Sequence, residues 1–439
     1  MKRVYLASLG CPKALVDSEI MLGLLKKEGY IPVSHPREAD ILLVNTCAFI
    51  REATEESIET ILSLAKGKTK TQLLVVAGCL PQRYGREIEK VMEEVDLWVN
   101  LHSLERLPDL LKGMKVSPTP YPFLPHHSLP RQRITPSTWT YLKIAEGCNN
   151  RCAYCTIPSI RGPLRSRTLE DLVAEAEKLA EDGVVELNLI AQDITRYGED
   201  LGLHHGLLEL LDALEKIEGL QWIRLMYAHP AGVTRELAER LGQGKVLPYL
   251  EMPIQHIDDK VLESMGRRGG KKAVIEALER LTARGEMFLR TTVMVGFPTE
   301  GEKEFQELMD FLGKAPIFRL AAFAYSPEEG TPAAEMDQLP QKERLDRLNQ
   351  VLAFQEELHY ARNLELVGRK FPILMEEPGW GRFPGQAPEI DGRVRVQAEV
   401  EKERKSLMEA LITDADGVDL FAKNLLDPKR LSKYHRKYL

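Results

Sequence analysis

Short apolar runs alternate with amphipathic stretches along the first 116 residues. Runs at 4–9, 41–44, 73–77 and 97–99 read as strands, and 15–28, 51–65 and 86–94 read as helices between them. A strand that crosses over through a helix before pairing again belongs to an open, mostly parallel α/β sheet. The pattern breaks at 117–133, where Pro118, Pro120, Pro122, Pro125 and Pro130 mark an extended linker. It resumes with strand candidates at 141–145, 186–190, 223–226, 249–252, 289–295 and 320–324, separated by helical patterns at 169–181, 207–216, 234–241, 271–284 and 302–312. Six β/α units in a row predict a barrel or a large part of one. A long helix over 341–365 ends this region. Beyond Gly368 the runs at 372–376, 392–400 and 417–422 are short and helix signals are few, which fits a small all-β module. The expected fold is therefore α/β in three domains: an open parallel α/β domain at 1–116, a partial (β/α)6 TIM-like barrel at 134–367 after the linker at 117–133, and a small all-β barrel at 368–439.

Composition narrows the function. The chain has 439 residues, with 59 basic and 66 acidic side chains for a net charge of −7, so it is neither a polycation for nucleic acid nor a disordered chain. The charge is uneven: 134–370 carries −9, whereas the first domain and the residues beyond 370 are neutral. The longest wholly apolar run, 73–81, is far below the ~20 residues that cross a bilayer. Six cysteines occur, at Cys11, Cys47, Cys79, Cys148, Cys152 and Cys155, and none follows. The expected compartment is the reducing cytoplasm, where clustered cysteines bind metal or do chemistry more often than they form bridges.

Cys148, Cys152 and Cys155 form a C-x3-C-x2-C loop directly after the first strand of the second domain, the end of a barrel strand where that fold places its chemistry. Offsets of four and seven also suit one face of a helix, but Gly147, Asn149, Asn150 and Pro158 oppose a regular one. Three thiolates in one loop hold three irons of a 4Fe-4S cluster and leave one iron open. A zinc site is the alternative, although no nearby cysteine or histidine offers a fourth ligand. Cys11, Cys47 and Cys79 are dispersed, yet each follows an apolar strand by a residue or two. Parallel strands bring those ends to one edge of the sheet, the edge where open α/β sheets bind ligands. Three separate buried core cysteines are the bland alternative. The pairs His126-His127 and His204-His205 read as surface residues.

The segments Ser8-Leu9-Gly10-Cys11-Pro12-Lys13, Asn45-Thr46-Cys47-Ala48-Phe49-Ile50, Gly78-Cys79-Leu80-Pro81 and Glu146-Gly147-Cys148-Asn149-Asn150-Arg151-Cys152-Ala153-Tyr154-Cys155 resemble those of the methylthiotransferases of the radical S-adenosylmethionine superfamily. The resemblance covers essentially the whole chain. It implies a methylthiotransferase N-terminal domain, a partial TIM-like barrel and a C-terminal TRAM module. It also implies two 4Fe-4S clusters, one on Cys11, Cys47 and Cys79, and one on Cys148, Cys152 and Cys155 that binds S-adenosyl-L-methionine. In the chemistry so implied, an electron donor reduces the second cluster, a 5′-deoxyadenosyl radical takes a hydrogen from an unactivated carbon, and sulfur and a methyl group follow. Tyr154 would contact the adenine, with ordinary packing as its alternative role; Gln192 and Gln255 are weaker candidates. Leu15-Val16-Asp17-Ser18-Glu19, Leu189-Ile190-Ala191-Gln192-Asp193 and Ala387-Pro388-Glu389-Ile390-Asp391-Gly392 are similar to members that modify the β-carbon of an aspartate in small-subunit ribosomal protein S twelve. The alternative is the branch that modifies adenosine in tRNA. A neutral β module and an acidic barrel suit a basic protein partner better than phosphate. The basic ending at 429–438 reads as a solvated tail, so nucleic-acid contact is not required. A non-catalytic iron-sulfur or zinc module is the rival of a different class.

Overall fold

The computed structural model describes residues 1–283, 285–397 and 407–425. The basic stretch 429–438 and the end of the strand expected at 392–400 lie outside the described residues. The first sheet is five-stranded and wholly parallel, in the order Ile31–Pro32, Arg3–Ser8, Ile41–Thr46, Leu73–Gly78 and Leu97–Val99. The two-residue edge strand was not legible because it carries only Ile31 and Pro32. In chain order this is 2-1-3-4-5, so the strand order reverses between Arg3–Ser8 and Ile41–Thr46. A crevice opens at such a reversal, at the carboxyl ends of the strands. Cys11 and Cys47 follow the two strands that flank it, and Cys79 follows the next.

The second sheet has six parallel strands in sequence order, Trp139–Lys143, Glu186–Ile190, Trp222–Leu225, Val246–Glu251, Phe288–Val295 and Arg319–Ala324, and is not closed. The intervening helices lie where apolar periodicity and caps put them. Thr168 caps Leu169–Glu181, Thr234 caps Arg235–Arg240 and Asp258 caps Asp259–Ser264, each side chain accepting a backbone N–H in the first turn. Strand alternation sends Leu187, Leu189, Ile223, Leu225, Leu250 and Leu289 into the core beneath these helices. The alternate positions hold Glu186, Asn188, Arg224, Tyr249, Glu251 and Arg290 (all but Arg290 buried) beside Trp139, Ile190, Trp222 and Phe288, so charged groups share an inner face that a barrel ordinarily fills with branched apolar residues.

The C-terminal strands Lys370–Glu377, Trp380–Arg382, Val394–Gln397, Leu407–Asp416 and Asp419–Asn424 close into a small barrel. It does not stand apart. Arg382 pairs with Glu186, the first residue of a barrel strand, while Arg224 bonds Glu186 at 2.8 Å and the Pro384 carbonyl at 2.7 Å. Phe383 meets Phe288, Phe318 and Phe371 edge-on or tilted, with ring centroids 5.1–5.9 Å apart. The linker is no free tether either. Arg131 binds Glu19 of helix Pro12–Lys27 at 2.6 Å and Glu175 of the barrel at 2.7 Å, and the Pro130 carbonyl lies so near Gly23 that any side chain there would collide with it.

Removing the ring of Phe383 empties the centre of this aromatic cluster. Phe383→Ala is expected to cost about 3–5 kcal/mol and to make the segment after Gly368 the first to be cut in limited proteolysis, which thermal denaturation and mapping of the first cleavage sites would check.

Candidate functional site

Cys11 and Cys47 sit just past their strands and Cys79 opens helix Cys79–Tyr84, at strand ends brought together by close backbone approach. Gly10 has φ +89°, and a Cβ there would fall 2.7 Å from Cys47 Cβ and 3.0 Å from Cys47 Sγ. Gly78 has φ +100° and packs on the backbone of Thr46 and on Asn45 Oδ1. These glycines allow three strand ends to meet. Cys47 and Cys79 are buried and Cys11 is half-buried, and all six cysteines are free thiols. Burial, then Cys11 and Cys79 nearby, push the Cys47 thiol up to about 12; burial likewise raises Cys79. Thiols so placed keep their protons unless a metal replaces them.

The second trio lies in a loop whose base is stapled by Ala145–Glu146 pairing antiparallel with Arg165–Ser166, and the Cys148 N–H donates to the Gly162 carbonyl at 3.1 Å. Burial raises Cys148 and carries Cys155 to about 12, with the neighbouring thiols adding to it. The Arg267 guanidinium lies 3.9 Å from Cys152 Sγ and is anchored on the Pro253 carbonyl at 2.6 Å. Tyr154, named from its place in the motif, stands beside Cys152 and sets its ring edge-on against Phe297, 6.5 Å between centroids. Asn150 reaches Asp193 at 2.8 Å, and Arg196 reaches Asn150 at 3.1 Å. His229 is held down to about 2 by burial and by Arg267, Arg268 and Arg196, so it stays neutral. No three His, Cys, Asp or Glu side chains among the described residues form a single-ion site. A cubane asks for less, since each thiolate holds its own iron.

A cavity of about 320 Å³ opens beside Cys11. Ser8, Gly10 and Leu15 come from the first domain, Tyr141, Met226 and Tyr227 from the barrel, and Glu389 and Ile390 from the C-terminal module. Lys13 lies 3.6 Å over the Tyr227 ring. The Tyr141 hydroxyl donates to Glu389 at 2.9 Å. Three non-glycine residues among those described have positive φ, and two of them, Tyr227 (66°) and Glu389 (70°), line this cavity; the third is Gln255 (69°). Such strain persists where surrounding contacts over-determine it and gathers at functional sites. Sequence reasoning found Cys11 here and noted the Glu389 segment only as a marker. It missed that three domains share the cavity, because residues 141, 227 and 389 have no local pattern in common. Gln192, a weaker sequence candidate, bonds Glu146 between the two trios instead of facing this cavity.

Three family models match the chain: uncharacterized protein family UPF0004 over 3–100, the radical SAM superfamily over 142–312 and the TRAM domain over 367–424. A ribosomal protein uS12 methylthiotransferase RimO from Pelobacter propionicus is 42% identical, over 96% of this chain and 98% of its own. Its namesake from Moorella thermoacetica is 45% identical over 91% and 94%. The chain belongs to the RimO family. This RimO-family chain is thus a radical S-adenosylmethionine methylthiotransferase, and S-adenosylmethionine and 4Fe-4S clusters are its cofactors. Among solved structures, the radical S-adenosylmethionine methyltransferase TsrM from Kitasatospora setae shares its fold at a TM-score of 0.56 and 14% identity, covering 76% of this chain and 77% of that one. OxsB, a cobalamin-dependent radical enzyme, shares it at 0.53 and 15%, covering 81% and 56%.

Behind Tyr227, Glu251 is buried with Oε2 unpartnered, and burial raises its carboxyl to about 7 despite Arg290 and Lys13 nearby. A carboxyl raised on folding adds stability below its ordinary value of 4.5, and that contribution is lost as pH rises through 7. At ~1.4 kcal/mol per unit the loss reaches about 3 kcal/mol. Melting Glu251→Gln beside the parent from pH 5 to 8 should show the parent falling relative to the variant; parallel curves would mean Glu251 is ionised throughout.

Proposed function

We propose that this chain adds a methylthio group to the β-carbon of an aspartate in ribosomal protein uS12. The observation that carries the reading is near-full-length similarity to relatives named for that substrate, together with cysteines at both trios. Cys11, Cys47 and Cys79 would hold one 4Fe-4S cluster; Cys148, Cys152 and Cys155 would hold the other, with S-adenosylmethionine at its open iron. When bound, these groups supply the radical that removes a hydrogen from the aspartate carbon, and the sulfur and methyl that take its place. The domains divide at 1–116, 134–367 and 368–439 in this reading, and a separate reductant delivers electrons.

The chain's own residues would bind, orient and dry the site. Burial that raises the thiols keeps water from the same atoms. Arg267 and Tyr154 both reach the Cys152 sulfur. The cavity beside Cys11 is where the aspartate-bearing loop would enter, with Tyr141 holding Glu389 at its wall.

Reconstituted, reduced enzyme given S-adenosylmethionine, uS12 and tRNA should put the methylthio mass on one aspartate of uS12. Methylthio-adenosine in tRNA with unmodified uS12 would overturn the assignment. Cys148→Ala should abolish reductive cleavage of S-adenosylmethionine, whereas Cys79→Ala should keep cleavage and lose sulfur insertion.

A further inference from the structure

Arg161 lies at the end of helix Ile157–Arg161, just after the second cysteine trio, yet its side chain crosses to the first. Its Nη2 donates to Cys79 Sγ at 3.3 Å. Its Nη1 donates to Asp17 at 2.8 Å, on the helix that Cys11 opens, and to Glu146 at 2.9 Å. Arg161 is 2% exposed, and Asp17, Glu146 and their shared partner Lys143 are wholly buried, so solvent screens none of these charges well. We infer that Arg161 of the barrel sets the reduction potential of the cluster held by the first domain, with Asp17 opposing it. This rests on the reading that Cys11, Cys47 and Cys79 hold a 4Fe-4S cluster.

The direction follows from charge. Reduction adds an electron to the cluster and its thiolates, and hydrogen bonds to the sulfurs and nearby net charge tune how easily that happens. A guanidinium donating to Cys79 favours the reduced form and raises the potential. The Asp17 carboxylate, bonded to the other guanidinium nitrogen, disfavours it and lowers the potential. Because the donor comes from the barrel and the acceptor from the first domain, the potential depends on the two being docked.

The test uses the full chain with Cys148, Cys152 and Cys155 all changed to Ala, reconstituted so that only the first cluster remains, and follows its EPR signal through an anaerobic redox titration. Arg161→Gln should move the midpoint to more negative potential, Arg161→Lys should move it less, and Asp17→Asn should move it the opposite way. Iron content of about four per chain in each variant shows that the cluster is intact. If Arg161→Gln assembles no cluster, the opposite shifts of Arg161→Lys and Asp17→Asn still decide. An unchanged midpoint in these variants, or shifts of the same sign from Arg161 and Asp17, overturns the inference while leaving the cluster assignment standing. Failure of the parent triple variant to bind iron overturns both.

Discussion

Arg161 and Lys143 stand between the carboxylates of Asp17 and Glu146 with almost no surface open to water, and the seating of the first domain on the barrel turns on this square of charges. An ion taken out of water costs several kcal/mol unless a partner and further hydrogen bonds meet it. Asp17 comes from one domain and its two cations from the other, so undocking would strip Asp17 of both partners and leave Glu146 alone to balance two cations. The same device recurs at the other joints. Arg131 of the linker binds Glu19 and Glu175, while Arg167 shares Glu175; at the far end Glu186 of the barrel takes Arg224 and, from the C-terminal module, Arg382. Directional pairs of this kind set register as apolar contact alone does not. Helix Pro12–Lys27 carries Asp17 and Glu19 and begins at Cys11, so what fixes the helix against the barrel also fixes the Cys11 loop.

Much of the architecture was legible because its signals are local. Helices Leu169–Glu181 and Glu302–Leu312 lie at the expected residues, since an amphipathic stripe bounded by a capping Thr168 or by Gly301 with Glu304 leaves little freedom. The six barrel strands were placed to within about three residues because leucine, isoleucine and valine mark their outer faces. The C-terminal module was only half legible. Strand Leu407–Asp416 alternates weakly and was missed, and Trp380–Arg382 is too short to carry a period.

The cysteines stand out in the sequence for a different reason: the chain has no others, three follow strands of the first sheet and three share one loop after the first barrel strand. Spacing does not reveal what surrounds them. Arg161 carries no local signal in the sequence, and Lys143 falls inside the strand expected at 141–145. Their roles come from tertiary convergence, in which residues 17, 79, 143, 146 and 161 meet. Likewise the linker prolines point to an extended segment, but nothing local announces that Arg131 near its end is buried between two glutamates.

The strained Glu389 shows how a fold can place one exposed side chain with precision. Asp391, wholly buried, accepts from the Ala387 N–H at 2.9 Å and from the Tyr249 hydroxyl at 2.8 Å, and pairs with Arg290. These bonds close a tight turn on itself and nail it to the inner face of the barrel. The residues between must then reverse direction within a few bonds, and Glu389 does so at φ +70°, a conformation that costs of the order of 1–3 kcal/mol. Charge-assisted bonds at ~1.5–3 kcal/mol each more than offset it. The turn therefore has no cheaper shape while Asp391 stays bound, and its exposed pair, Glu389 and Ile390, is held at the rim of the cavity next to Cys11. The C-terminal module thus reaches the cavity through one turn, and Arg290 and Tyr249 on the barrel's inner face are what hold that turn in place.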